Sequence, residues 1–162
     1  MKFIKGDGVI IYLSRQYIKN NDLKDREAAE KLIHSINKKY NIELYGYYDT
    51  KIYIDKNYGI IIEIKKEELE YMDYFNAGLE MNIEIIEDSF LYKVEDIFSI
   101  KGLDKFVVRK YDDSIYLEIQ NISDINLGII LENAEIIYGK QANFIMNKSR
   151  IINSEVITWK NQ

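Results

Sequence analysis

The residues that could do chemistry in this chain are few, because it has one histidine, His34, and no cysteine. Without a thiol, it cannot supply a cysteine nucleophile, a thiolate zinc site or an iron–sulfur cluster. A serine triad needs an imidazole beside its nucleophile, and no Gly-x-Ser-x-Gly sequence is present. His34 lies off the apolar stripe of a predicted helix, so we expect it to face solvent. We therefore predict no catalytic residue and favour a protein that is not an enzyme.

Metal-binding and phosphate-binding motifs are also missing. The segment 55–66 begins like a calcium loop, but its sixth position is Ile60 and its twelfth is Lys66, where the loop needs Gly and a bidentate Glu. Neither glycine-rich phosphate pattern occurs, and Gly6-Asp7-Gly8 places a carboxylate where an anion would bind. We predict no metal and no cofactor, and we interpret 55–59 as a hairpin turn.

The tyrosines are the most unusual feature of the sequence, with 14 in the chain. Residues 44–55 alternate so that one side of a strand is largely aliphatic and the other carries phenols. The phenolic side and the adjoining turn supply the predicted partner-binding residues: Tyr45, Tyr47, Asp49, Tyr53, Asp55 and Tyr58. Tyrosine is enriched at protein interfaces because it offers a large rigid surface at low entropic cost. Two alternatives remain, burial of this side by the chain itself and a ligand groove.

A helix and a hairpin must position this strand. Residues 29–40 carry apolar side chains at helical spacing, with Asp22 as the predicted N-terminal cap and Asn41 as the C-terminal cap. Residues 60–65 alternate again, with Ile60, Ile62 and Ile64 expected inward and Ile61 outward. The predicted order of the first half is therefore β-α-β-β.

The second half shows further strands and one helix. Strands are predicted at 79–85 and 90–94, a hairpin at 106–120, and short strands near 144–146, 150–152 and 155–159. Between them, residues 123–138 are predicted to form a helix that ends at Gly139. The fold class is α+β, with two β-hairpin-plus-helix units packed together and a mostly antiparallel sheet. The predicted lobes are 1–76 and 77–162, with one continuous domain 1–162 as the alternative.

Charge and composition narrow the partners and the compartment. The formal charge of −5 makes binding to nucleic acid unfavourable. The longest apolar runs are far shorter than the roughly 20 residues that a membrane span needs, and the first 13 residues lack the apolar core of a signal peptide. We expect a cytoplasmic protein that does not bind membranes. Abundant Ile, Lys, Asn and Tyr, all with AT-rich codons, indicate a low-GC bacterium or a mobile element.

These features together predict a non-catalytic protein-binding regulator or adaptor. The order strand, helix, hairpin in the first 65 residues resembles the substrate-recognition domain of proteolysis adaptors of the MecA type, although no motif matches residue by residue. The alternative is an enzyme or small-molecule binder that uses carboxylates and Tyr in a cleft between the lobes. An uncapped edge strand would also allow a homodimer.

Overall fold

A computed structural model describes residues 2–5, 8–20, 23–44, 46–67, 79–97, 106–119 and 124–153. The chain divides into two compact units. The first unit comprises Met1–Ile54 and Gly59–Glu87, and the second comprises Asp55–Tyr58 and Asp88–Gln162. The main boundary thus follows Glu87, whereas the sequence pattern placed it at residue 77. Two mostly antiparallel sheets and their helices confirm the predicted α+β class.

The described part of the first unit contains a five-stranded sheet and two helices. Its elements are β1 (Lys2–Lys5), β2 (Gly8–Ser14), α1 (Gln16–Asn20), α2 (Arg26–Tyr40), β3 (Gly46–Asp55), β4 (Gly59–Lys66) and β5 (Leu79–Glu87). The strand order is β1-β2-β4-β3-β5. Strand β2 pairs antiparallel with β1 and β4, and β5 pairs parallel with β3. Strand β5 is therefore an outer strand of this sheet.

Helix α2 begins and ends with residues that satisfy its terminal backbone groups. The Asp25 carboxylate accepts a hydrogen bond from the Ala28 amide at 2.8 Å. At the other end, Asn41 has φ 51° and its amide donates to the Asn37 carbonyl, as expected of a left-handed cap. The prediction of Asn41 is confirmed, but the N-terminal cap is Asp25 and not Asp22, which lies outside the described residues.

The core of the first unit lies between α2 and one face of the sheet. The predicted apolar stripe of α2 is buried, and so is the predicted inward face of β3 and β4: Ala29, Leu32, Ile33, Ile36, Tyr48, Ile52, Ile60, Ile62 and Ile64. Ile61 was predicted outward, but it is 1% exposed, and its partner in β2, Tyr12, is 3% exposed. That prediction was wrong because an unbroken aliphatic run such as 60–62 belongs to a strand that is buried on both faces.

The second unit holds another five-stranded sheet, with order β10-β7-β8-β6-β9. Its described elements are β6 (Leu91–Val94), β7 (Phe106–Tyr111), β8 (Ser114–Ile119), α3 (Asp124–Asn133), β9 (Ala134–Ile137), α4 (Gly139–Lys148) and β10 (Arg150–Asn153). Every neighbouring pair of these strands is antiparallel. Among the described residues, no helix is long and apolar enough to cross a membrane.

The region after residue 123 departs from the sequence prediction. The predicted helix 123–138 ends at Asn133, and residues 134–137 form β9 beside β6, with Ile137 opposite Leu91. Residues 144–146 were predicted as a strand but lie inside α4, whose Ala142 and Ile145 are buried at helical spacing. Strand β10 confirms the prediction near 150–152, and the predicted strand 155–159 lies outside the described residues.

Candidate functional site

Strand β3 places three of the predicted partner-binding residues on one side of the sheet. Tyr47, Asp49 and Tyr53 alternate with side chains that face α2, and all three are partly exposed, as is Lys51 between them. The alternation of exposure along β3 agrees with its period of two. Tyr45 lies outside the described residues.

Strand β5 extends this side of the sheet. In the parallel register, Tyr47 lies opposite Glu80, Asp49 opposite Asn82, and Lys51 opposite Glu84. The three β5 residues are exposed, and the Asn82 side-chain amide donates to the Asp49 carboxylate at 3.2 Å. We call this surface the phenolic face: Tyr47, Asp49, Lys51 and Tyr53 of β3 with Glu80, Asn82 and Glu84 of β5. It brings together residues more than 30 positions apart in sequence.

Asp55 and Tyr58, which were predicted to face outward, are buried in the second unit. Asp55 is 4% exposed and Tyr58 is 3% exposed. The Asp55 carboxylate accepts hydrogen bonds from the Asn57 amide and the Phe90 amide, both at 2.8 Å. The Tyr58 ring stacks on Phe90 and meets Tyr92 edge-on at a centroid distance of 5.3 Å. Neither side chain is available to a partner, so the prediction for these two residues was wrong.

The surroundings of Asp55 also change its acidity. Burial raises the pKa of the Asp55 carboxyl above its ordinary value, and the negative charge of Asp88 raises it further. The backbone amides of Phe90, Asn57 and Tyr58 donate to Asp55 and oppose this rise, because they stabilise the ionised form. Asp55 therefore joins the turn after β3 to the residue before β6, and its buried side chain does not contribute to the phenolic face.

A groove of about 490 Å³ opens at one end of the phenolic face, inside the first unit. It is bordered by α2, the beginnings of β3 and β5, and the residue that follows β4. Its lining residues are Arg26, Glu30, His34, Tyr47, Tyr48, Glu67, Glu80, Met81 and Asn82. Three of them, Tyr47, Glu80 and Asn82, also belong to the phenolic face, so the two surfaces are continuous.

Arg26 is already engaged in the groove. Its Nε lies 2.8 Å from the Glu30 carboxylate, and its Nη2 donates to the Met81 carbonyl at 3.0 Å. This second bond satisfies a backbone acceptor of β5 and ties α2 to that strand. The guanidinium is therefore committed to protein groups, which leaves it poorly placed to attract an anion.

Two other carboxylates in the groove are uncommitted. Within the described residues, Glu67 and Glu80 have no ion-pair partner, and both are exposed. The backbone amide of Glu67 donates to the Tyr47 carbonyl at 3.0 Å, which holds this residue beside β3. The groove thus carries more negative than positive charge.

Tyr48 lines the groove although only 9% of it is exposed. No hydrogen-bond partner for its hydroxyl is found in the part of the chain that the structure describes. The hydroxyl itself is not fully buried, so solvent reaches it although most of the ring is buried. A ligand in the groove could therefore form a hydrogen bond with Tyr48.

The groove was not predicted from the sequence. His34 was expected to face solvent, and it is exposed, but it is also one of the residues that line the groove. The described residues contain no group of three or more His, Asp or Glu side chains that could hold a metal ion. No local motif links residues 26, 47, 67 and 80; their proximity arises from the pairing of β5 with β3, the Glu67 amide bond to Tyr47 and the Arg26 bond to Met81.

We compared the chain with known protein families, curated proteins and solved structures. No family model, curated protein or solved structure matches the chain.

Proposed function

We propose that this protein is a non-catalytic, protein-binding regulator or adaptor whose partner docks on the phenolic face. The observation that carries the proposal is the pair of partly exposed phenols, Tyr47 and Tyr53, on a strand whose opposite side is buried. Partly exposed Tyr next to Asp49 and Lys51 combines apolar area with hydrogen-bonding groups, which is the composition of protein interfaces. We place its site of action in the bacterial cytoplasm.

The charge of this face argues for a protein partner over a nucleic acid. Asp49, Glu80 and Glu84 outnumber Lys51, the cation among them. Nucleic-acid binding needs basic side chains that displace counterions from phosphates, and the phenolic face has the opposite balance. A protein surface with basic residues would complement it.

The proposal is tested by photo-crosslinking in cells that carry the gene. Lys51 is replaced with p-benzoylphenylalanine, and the matched control carries the same amino acid at the exposed position Lys140 in the second unit. We expect an adduct of one defined mass from position 51 and none from position 140. Mass spectrometry of the adduct identifies the partner, and an adduct with a second copy of the chain would show a homodimer instead.

A double variant, Tyr47→Ser with Tyr53→Ser, decides whether the phenols contribute. We expect it to keep its circular dichroism spectrum and to lose the adduct at position 51, with a lower urea midpoint because both rings are partly buried and the Tyr53 hydroxyl donates to Glu63. Unfolding of the double variant would show that the phenols are internal. An undiminished adduct in a folded double variant would disprove docking through these tyrosines.

The groove favours a second candidate function, an enzyme or binder of small molecules that uses carboxylates and Tyr. The supporting observation is the meeting of Glu67, Glu80, His34 and Tyr48 around one cavity within the first unit. This candidate predicts that the isolated protein binds a small organic cation, such as agmatine or spermidine, at micromolar concentration in a titration calorimeter. Binding no tighter than millimolar would eliminate it.

A further inference from the structure

We infer that the groove receives a cationic side chain, arginine or lysine, of the partner protein. This inference rests on the proposed function, because the side chain comes from a segment docked on the phenolic face. The groove is continuous with that face through Tyr47, Glu80 and Asn82. Its volume of about 490 Å³ is within the range of ligand sites in proteins.

The charges of the residues that line the groove favour a cationic ligand. The groove is lined by three acidic residues, Glu30, Glu67 and Glu80, and by one arginine, Arg26. Arg26 neutralises Glu30 at 2.8 Å, so Glu67 and Glu80 remain as acceptors. A guanidinium or ammonium placed between them would form charge-assisted hydrogen bonds, which are stronger than those between neutral groups.

The aromatic residues that line the groove also favour a cationic ligand. Tyr47 and Tyr48 are consecutive residues on opposite sides of β3, and both line the groove. Phenol rings attract a cation that lies over them, and arginine makes such contacts most often. The hydroxyl of Tyr48 can accept a hydrogen bond from the same group, which supplies the partner that it lacks among the described residues.

The test uses capped amino acids and heteronuclear NMR of the whole chain. The probes are N-acetyl-arginine methylamide, N-acetyl-lysine methylamide and, as the neutral control, N-acetyl-glutamine methylamide. We expect the two cations to shift the amide signals of Tyr47, Glu80 and Asn82 saturably, and the neutral probe to leave them unchanged. The shifts should weaken when salt is raised, because partly exposed ion pairs are screened.

Charge-removing variants locate the binding. Glu67→Gln and Glu80→Gln should each weaken the affinity for the arginine probe by about fivefold, the upper range for exposed ion pairs. Glu95→Gln removes the same charge from an exposed position in the second unit and should leave the affinity unchanged. Equal shifts from the neutral probe, or unaltered affinity in both groove variants, would overturn the inference.

The outcomes separate this inference from the proposed function. If the adduct at position 51 forms but the cationic probes do not bind, the docking face stands and the groove inference fails. If the probes bind but no adduct forms, a partner protein is excluded as the source of the cation. Free spermidine that binds more than tenfold tighter than the arginine probe would likewise assign the groove to a small molecule.

Discussion

The carboxylate of Asp55 accepts a hydrogen bond from the backbone amide of Phe90 at 2.8 Å, across 35 positions of sequence. Asp55 ends β3, and Phe90 stands immediately before β6. Both residues are buried, at 4% and 0% exposure. Through this bond, a turn whose sequence suggested an exposed hairpin tip becomes part of the core of the second unit.

Replacement of Asp55 by alanine should destabilise the protein. Asp55→Ala leaves the buried Phe90 amide without its acceptor, and an unsatisfied buried donor costs about 1–3 kcal/mol. We expect a loss of that size in the free energy of unfolding, measured in urea by circular dichroism. Glu95→Ala, an exposed control, should change the value by less than about 0.5 kcal/mol. Equal stability of the two variants would contradict the role assigned to this bond.

The raised pKa of Asp55 predicts how its contribution depends on pH. Because the folded state holds this proton more tightly than the unfolded state, stability falls as pH rises from 3.8 through the folded pKa. The free energy of unfolding of the wild type minus that of Asp55→Asn should therefore be larger at pH 4 than at pH 7. A carboxyl NMR titration should also give a midpoint above 3.8 for Asp55. If the difference in the free energy of unfolding between the two proteins increased with pH, the predicted direction of the pKa shift would be wrong.

Gly59 and Gly46 form a matched pair for testing close backbone approach. Both have positive φ, 142° and 94°, but a Cβ on Gly59 would lie 2.1 Å from the Leu13 carbonyl oxygen, whereas one on Gly46 would meet nothing within 4 Å. Gly46→Ala should cost about 1–2 kcal/mol for backbone strain alone. Gly59→Ala should cost more than about 3 kcal/mol, because β2 and β4 must separate there. Urea unfolding of both variants measures the two losses of stability. Similar losses in both variants would disprove the predicted difference.

The cap of α2 provides a further test. Asp25→Ala removes the acceptor of the Ala28 amide and should lower the free energy of unfolding by about 1 kcal/mol. Asp25→Ser keeps a capping oxygen and should retain most of the stability. The two variants are compared by urea unfolding of the full chain, and identical losses would mean that the carboxylate does not cap the helix.

Several features of the first unit could be predicted from the sequence because they are local. The buried stripe of α2 follows from apolar residues three and four positions apart, and Asn41 ends the helix through its own left-handed backbone. The exposure of Tyr47 and Tyr53 on one side of β3 follows from the same kind of short-range alternation. Each of these depends on residues within a few positions of one another.

The wrong predictions in the second unit concern features that depend on contacts between residues far apart in the sequence. Residues 134–137 continue an apolar pattern that suits a helix, but they pair with β6, which lies about 40 residues earlier. The spacing of apolar residues along the sequence does not show whether this segment pairs with a distant strand or adds another turn to the helix. The sequence likewise gave no sign that Asp88 would accept a hydrogen bond from the Gly139 amide.

By itself, the sequence determined the α+β class, the helix α2, the hairpin of β3 and β4, and the side of β3 that carries the phenols. Only the tertiary structure decided that Asp55 and Tyr58 are buried, and that Glu67 and Glu80 meet Tyr48 around a groove. The physical reason is the range of the interactions. Periodicity is imposed by neighbours two to four residues apart, whereas the burial of a polar side chain depends on donors that the chain brings from far away.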